Sequence, residues 1–197
     1  RAILANGMSF KDYTIETFKG GADDGIVSQG GSPTGYFLRK YIQEATSFEP
    51  GKEAVSKHHW VIYRYAETLL TYAESMVNDV NYTDETYKYS ALWAINEVRK
   101  NADMPLIPSM GKDEFMERLY NEWRVEFAFE DHRFWDVRRW KIADTTQREL
   151  YGVKIEKQAD GTFNFYKNLY ETRNWRDCMY LYPIPQSELY KNTNLNP

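Results

Sequence analysis

The 197-residue chain has one cysteine, three histidines, no long apolar run and no excess of positive charge. Each shortage excludes something. A single cysteine, Cys178, cannot build a disulfide framework or a zinc site within one chain. No Cys-His spacing supports thiol catalysis, so Cys178 reads as a buried small hydrophobe. His58 and His59 stand together without further ligands at matched spacing, and read as polar residues at a helix end rather than a metal site. No apolar stretch is long enough to span a bilayer, and no signal peptide is visible. The chain opens at Arg1-Ala2-Ile3-Leu4 without a methionine, which reads as a fragment separated from its targeting segment. The net charge of −4 argues against a nucleic-acid partner, which requires a concentrated positive patch. Aromatics, in contrast, are plentiful: 16 Tyr, 10 Phe and 6 Trp. Tyr and Trp join a broad apolar body to a polar tip, which suits both hydrogen-bonded cores and surfaces that grip flat ligands.

Along the chain, residues 1–50 read as irregular. Tyr13–Phe18 alternates weakly and could be a short strand, and Tyr36–Ile42 a strand or the start of a short helix. Between them, Gly20–Gly35 is rich in Gly, Asp and Ser and reads as a mobile surface loop. It has neither a phosphate-loop ending nor calcium-loop spacing, which leaves Asp23 and Asp24 without a cation motif. Periodicity predicts a helix over Ala54–Val77, with one stripe at Val61, Tyr65, Leu69, Tyr72 and Met76 and a second at Ile62, Ala66, Leu70, Ala73 and Val77. A second helix, capped by Thr83 or Asp84 with Glu85 in its first turn, buries Ala91, Leu92, Ile95, Val98 and Ala102. The two make an antiparallel pair of the size used in helical repeats. Prolines 105 and 108 close it. A third helix starts at Lys112 or Asp113 with an apolar face of Met116, Leu119, Tyr120, Trp123 and Phe127. Asp160-Gly161 between two alternating runs signals a hairpin over Tyr151–Tyr166. Met179–Pro185 reads as extended, Ser187–Tyr190 as a helical turn, and the end as coil. The fold class is mainly α: a helix pair, a further helix, and an irregular C-terminal region with a small hairpin. One domain is expected over 1–197, with a loop-rich opening (1–50), a helical core (54–140) and a hairpin with extended tail (141–197).

The densest chemistry lies in Asn121–Trp140. Glu122, Glu126 and Glu130 fall one helical turn apart, beside Val125 and Phe129. Like charges at this spacing repel, so cations must meet them, and Arg118, Arg124, Arg133, Arg138 and Arg139 are the nearby candidates. Paired carboxylates suit glycosidases, and Glu rows with His suit di-iron bundles. His132 and Asp136 strengthen that reading. Yet the di-iron pattern needs Glu-x-x-His twice, and neither Glu126 nor Glu130 stands three before a histidine. A structural network of Glu122, Glu126 and Glu130 with arginines such as Arg124 and Arg133 is the stronger reading. It would lock the third helix against the helices carrying Arg64–Glu74 and Asn96–Arg99. No catalytic residue and no cofactor is assigned.

Four segments, in order, carry a resemblance. Arg64-Tyr65-Ala66-Glu67-Thr68-Leu69-Leu70-Thr71-Tyr72-Ala73-Glu74 resembles the "RYAE..LL.YAEA" helix of the SusD/RagB family. Ala94–Arg99 resembles its "IN.VR" helix, and Glu122–Trp140 its "ERR.EL.FEGHR..DLRRW" segment. Leu181–Glu188 with Asn192–Leu195 resembles its closing "LYPIP..E...NPNL". The resemblance covers roughly two thirds of the chain. It implies a tetratricopeptide-like helical fold. It also implies a surface lipoprotein of the Bacteroidota outer membrane that binds glycans, or in some members peptides, and caps a SusC-like TonB-dependent transporter without catalysis. This chain would then be the C-terminal part, with the upstream half and its lipid-bearing cysteine before Arg1. Three departures stand out: Trp123 replaces an arginine, Asp131 replaces a glycine, and the trailing aromatic is absent.

No ligand residue carries over from these motifs. From chemistry alone, the non-periodic Tyr170–Asp177 stretch offers Tyr170, Arg173, Asn174 and Trp175 for stacking and hydroxyl recognition. The Gly20–Gly35 loop is the alternative, and a packed, structural Trp175 is an equal reading. Trp60, Trp93, Trp123, Trp135 and Trp140 read mostly as core. Three functions are weighed: a glycan-binding lid of a polysaccharide uptake system, a protein- or peptide-binding helical module, and, far behind, an enzyme dependent on Glu130 or Asp136.

Overall fold

The structure is a computed structural model that describes residues 2–25, 30–79, 82–84 and 87–195. In chain order it contains strands β1 (Ile3–Leu4), β2 (Ser9–Phe10), β3 (Tyr13–Thr14) and β4 (Phe37–Leu38), then helices α1 (Tyr65–Met76), α2 (Ala91–Asn101), α3 (Lys112–Glu126), α4 (His132–Arg139) and α5 (Ala143–Thr146). The long strands β5 (Glu149–Lys157) and β6 (Phe163–Thr172) follow, then a 3-10 turn (Asp177–Tyr180), helix α6 (Gln186–Lys191) and a last 3-10 turn (Thr193–Leu195). The chain is mainly helical with small antiparallel hairpins. It divides into two compact units: Lys40–Arg133 in one, and Ile3–Arg39 with Phe134–Pro197 in the other. Among the described residues, no helix is long and apolar enough to cross a membrane.

The helical unit is built on the predicted apolar faces. Leu69, Leu70, Ala73 and Val77 of α1 and its end pack with Ala91, Leu92, Ala94, Ile95 and Val98 of α2, all buried. Small Ala73, Ala91 and Ala94 allow the close approach. In α3, Leu119, Trp123 and Phe127 are buried as the period requires. Phe115 is also fully buried, one position from the expected Met116, and meets Tyr82 edge-on at 5.6 Å.

Helix starts differ from expectation in two places. The first helix starts at Tyr65, eleven residues after the predicted Ala54. Trp60-Val61-Ile62-Tyr63 is a run of aromatic and β-branched side chains that lose rotamer freedom in a helix. Trp60 instead stacks on Tyr41 at 4.8 Å, and Ala54 bridges to Ser47, which holds this segment extended. Val61 and Ile62 are consequently exposed rather than core. The second helix is capped not by Thr83 or Asp84 but by Ser90, whose hydroxyl accepts the Trp93 N–H at 3.1 Å. Ser90 stands directly before the first buried residue, where a cap satisfies an otherwise orphaned N–H. The expected Glu85 lies outside the described residues. Past α2, Asn96 ties the proline segment down: its amide donates to Ile107 O at 3.0 Å, and its Oδ1 accepts the Ile107 N–H at 2.9 Å.

In the other unit, β5 is the organising strand. It pairs antiparallel with β6, around a turn in which Asp160 Oδ1 accepts the Thr162 N–H and hydroxyl and Gly161 takes φ +86°. These bonds hold the Asp160 carboxyl below its usual range. Along the edge of β5 away from β6 lie two short segments. Phe18 bridges Ile155 in parallel, with Lys19 N–H donating to Ile155 O, and Val153 N–H donates to Thr34 O. The expected Tyr13–Phe18 and Tyr36–Ile42 strands shrink to the two-residue pairs β2–β3 and β1–β4. Cys178, expected to be buried, is exposed on the 3-10 turn, because that turn covers no core. Trp60 and Trp135, expected mostly as core, are 57% and 56% exposed, whereas Trp123 is buried.

Candidate functional site

The glutamate row ends in ion pairs. Arg64 lies at the extended residue before α1, and its guanidinium donates to Glu126 Oε1 (2.6 Å), Glu130 Oε2 (2.8 Å), Glu130 Oε1 (3.0 Å) and Glu126 O (2.9 Å). Its face lies 4.2 Å from the Phe127 ring centroid, a cation–π contact. Lys40 donates to Glu130 and to the carbonyls of Glu126 and Ala128, which the end of α3 leaves without helical partners. Arg99 holds Glu122 at 2.6 Å. Helix α3 stops at Glu126, and Phe129 and Asp131 adopt left-handed backbone angles (φ +66° and +65°) on either side of Glu130. Bulky Phe129 is strained there. The cations come from outside the stretch. Arg118 makes a 3.6 Å exposed pair with Glu114, Arg124 is exposed, and Arg133 is half-buried in α4.

Burial pushes the Glu122 carboxyl up, more strongly than Arg99 lowers it, and the nearby Glu126 adds to the rise. Burial also pushes Glu130 up, but Arg64 and Lys40 together outweigh it and hold Glu130 below its usual range. His132 packs on Phe127 and Trp123 with its Nε2 3.5 Å from Glu67, and buried Asp136 holds Arg139 at 2.9 Å. Each carboxylate of the row is thus tied to a cation, an arrangement that suits locking three helices more than transferring a proton.

The residues nominated for ligand contact follow the hairpin. Between Leu150 and Tyr151 the ladder shifts register, so Tyr170 is the extra residue of a β-bulge, 48% exposed. A bulge re-aims a side chain out of the regular ladder. Arg173 pairs with Glu171 at 3.2 Å in solvent, its N–H donates to Arg148 O, and Asn174 is exposed. Trp175 is half-buried, with Arg138 5.2 Å from its ring centroid and Tyr180 edge-on at 5.2 Å. Its indole N–H is buried and finds no partner among the described residues. The four are therefore consecutive along the chain but unlike in setting: Tyr170, Arg173 and Asn174 are open, and Trp175 is packed.

A polar cleft of about 300 Å³ lies beside β5, lined by Thr17, Lys19, Asp24, Ser32, Lys154 and Asn168 together with further residues of both loop segments and of β5. Its walls are the two segments that dock on the β5 edge. Close backbone approach builds it. A Cβ on Gly152 would sit 2.6 Å from Thr34 O, and one on Gly35 (φ +78°) 2.7 Å from Val153 O. Asp24 braces the loop, accepting the Gly20 N–H at 2.9 Å and the Gly25 N–H at 2.8 Å. Asp23 accepts the Glu16 N–H and the Tyr13 hydroxyl, whose pKa this bond pushes up to about 12. Residues 26–29 of the loop lie outside the described residues. Thr17 is 5% exposed, and its hydroxyl finds no hydrogen-bond partner among the described residues. A cleft of about 380 Å³ in the helical unit, beside Trp93 and Leu106, contrasts with it, since its Asn96 amide is engaged by Ile107 through both its nitrogen and its oxygen.

The sequence points to the loop, but not to Thr17, Lys154 or Asn168. An isolated glycine within a strand, here Gly152, marks close backbone approach and was the available signal.

Residues 6–197 match the family model of the SusD family. The chain is 32% identical over 151 residues to SusD-like protein P2 of Formosa agariphila, covering 72% of this chain and 26% of that protein. It is similar to the crystal structure of a SusD-like protein from Bacteroides fragilis NCTC 9343, at 30% identity and TM-score 0.74, over 97% of this chain and 36% of that one. A SusD-like carbohydrate-binding protein from the same organism matches at 26% identity and TM-score 0.66, over 98% of this chain and 40% of that one. The chain therefore spans about a quarter to two fifths of the length of these relatives.

Proposed function

Because the chain belongs to the SusD family, we propose that it is the C-terminal part of a non-catalytic, glycan-binding lipoprotein of the outer membrane. In this reading the whole protein serves polysaccharide uptake together with a SusC-like TonB-dependent transporter, held at the membrane by an N-terminal lipid. The observation that carries the reading is the likeness, over nearly the whole chain, to a SusD-like carbohydrate-binding protein. The absence of catalysis is supported by the glutamate row, whose carboxylates are engaged by Lys40, Arg64 and Arg99.

The test uses the full-length parent. Calorimetry against soluble polysaccharides is expected to give saturable binding without release of reducing ends. Fractionation should place the protein in the outer membrane, and a tagged parent should co-purify a TonB-dependent transporter. Co-purification with no saccharide binding would replace the glycan role by a peptide- or protein-binding one. Turnover that disappears in Glu130→Gln would overturn the non-catalytic reading.

A further inference from the structure

Resting on that reading, we infer that the outer face of β6 and the adjoining cleft form an oligosaccharide-binding surface of this chain, with Asn168 at its centre and Tyr166 and Tyr170 on either side. Strand β6 is exposed along almost its entire length. Tyr166 and Asn168 stand two residues apart in the regular ladder and share one face, and Tyr170 follows at the bulge, two residues beyond Asn168. Both tyrosines are nearly half exposed. Neither ring stacks on another among the described residues, and the Asn168 amide makes no side-chain hydrogen bond there.

The setting of Asn168 follows from its partner. It lies opposite Gly152, which has no side chain to cover it, and it lines the cleft. Lys154 lies opposite Tyr166, on the same face and also in the cleft. Asn168 offers two donors and an acceptor, and Lys154 further donors. Thr17, which also lines the cleft, adds a hydroxyl with unused hydrogen-bonding capacity. An open amide between two open phenol rings, beside a small polar cleft, matches a chain of hydroxylated rings. Ring faces stack on tyrosine, and hydroxyls meet the amide and ammonium. A buried apolar anchor, which a protein partner would require, is missing from this face. The bulge takes Tyr170 out of the regular ladder and leaves it without a cross-strand partner.

The experiment uses the full-length parent and a panel of amylopectin, laminarin, xylan, galactomannan and alginate, read by affinity electrophoresis and calorimetry. For whichever glycan the unsubstituted protein binds, Asn168→Ala should weaken affinity about tenfold. Tyr166→Ala and Tyr170→Ala should each weaken it about three- to tenfold. Melting temperatures should be unchanged, because all three side chains are exposed. Asn168→Asp, which keeps the shape, should also weaken the neutral glycans. Tyr190→Ala, at an exposed tyrosine of α6, should bind as the unsubstituted protein does. Unchanged affinity in Asn168→Ala and in the Tyr166→Ala/Tyr170→Ala double variant would overturn this assignment and leave the glycan-binding role standing. An unsubstituted protein that binds none of the panel would overturn both.

Discussion

The glutamate row of the helical unit and the open face of the hairpin unit are both polar, both aromatic-rich, and opposite in how their polar groups are spent. Arg64 alone makes four hydrogen bonds to Glu126 and Glu130, and Lys40 and Arg99 account for the rest. On β6 the Asn168 amide makes none among the described residues, and Thr17 buries a hydroxyl without a partner. Satisfied buried charges fix a backbone arrangement, whereas unsatisfied polar groups at a cleft keep hydrogen-bonding capacity for a ligand. Chemical richness along the sequence therefore points to the first region, and unused chemistry in space points to the second.

The comparison breaks most sharply at Arg64. Arg64→Ala leaves Glu126 and Glu130 short of their shared cation and is expected to destabilise the fold by about 3–5 kcal/mol. Urea unfolding measures this. A loss below 1 kcal/mol, with glycan affinity changed instead, would make the row a binding site. At the hairpin, Gly152→Ala places a Cβ against the Thr34 backbone and should cost about 1–3 kcal/mol through overpacking. It should also weaken glycan binding, because the turn that walls the cleft must move. An unaffected melting curve would mean that the close approach is not maintained in solution.

A smaller effect separates two members of the row by pH. The Glu130 pKa is lowered in the folded protein, so its contribution is present above the unfolded carboxylate range and is lost as pH falls through its folded value. The Glu122 pKa is raised, so its contribution has the opposite sign. It is fully present below the unfolded value and is lost as pH rises through the folded one. Urea midpoints between pH 3 and 7, a window around the unperturbed value of about 4.3, should show less acid destabilisation in Glu130→Gln and more in Glu122→Gln. Equal slopes in the two variants would remove the distinction. The smallest change is expected for Asp131→Gly. Asp131 is exposed with φ +65°, and glycine takes that angle without a Cβ clash, a gain of a few tenths to about 1 kcal/mol. Differential scanning calorimetry would resolve it, and a lower melting temperature would show that the aspartate carboxylate matters more than its backbone angle.

Much of the fold was legible in the residues. The buried stripes of α1, α2 and α3 follow a 3.6-residue period, and Asp160-Gly161 announces the β5–β6 turn. The longest misreading has a tertiary cause. Trp60, Val61 and Ile62 continue the apolar period of α1, but a distant Tyr41 stacks on Trp60 and holds that segment extended. Periodicity reports which face a residue would occupy if the helix continued, and says nothing of a partner that ends it. At the candidate site, Tyr170 was within reach of sequence reasoning because aromatic and polar residues cluster near it. Asn168 and Thr17 were not, because what distinguishes them is the absence of a neighbour, and sequence carries no record of that.

The sequence by itself determined the family, the helical faces and the need for cations beside three glutamates one turn apart. Only the tertiary structure decided that those cations are Arg99, 23 residues from Glu122, Arg64, 62 and 66 residues from Glu126 and Glu130, and Lys40, 90 residues from Glu130. Only it showed that Gly152 leaves Asn168 uncovered. Hydrophobic period and turn chemistry act over a few residues, so local sequence encodes them. Ion pairing and exposure depend on the path the backbone takes between distant segments, and that path is set by the packing of the whole chain.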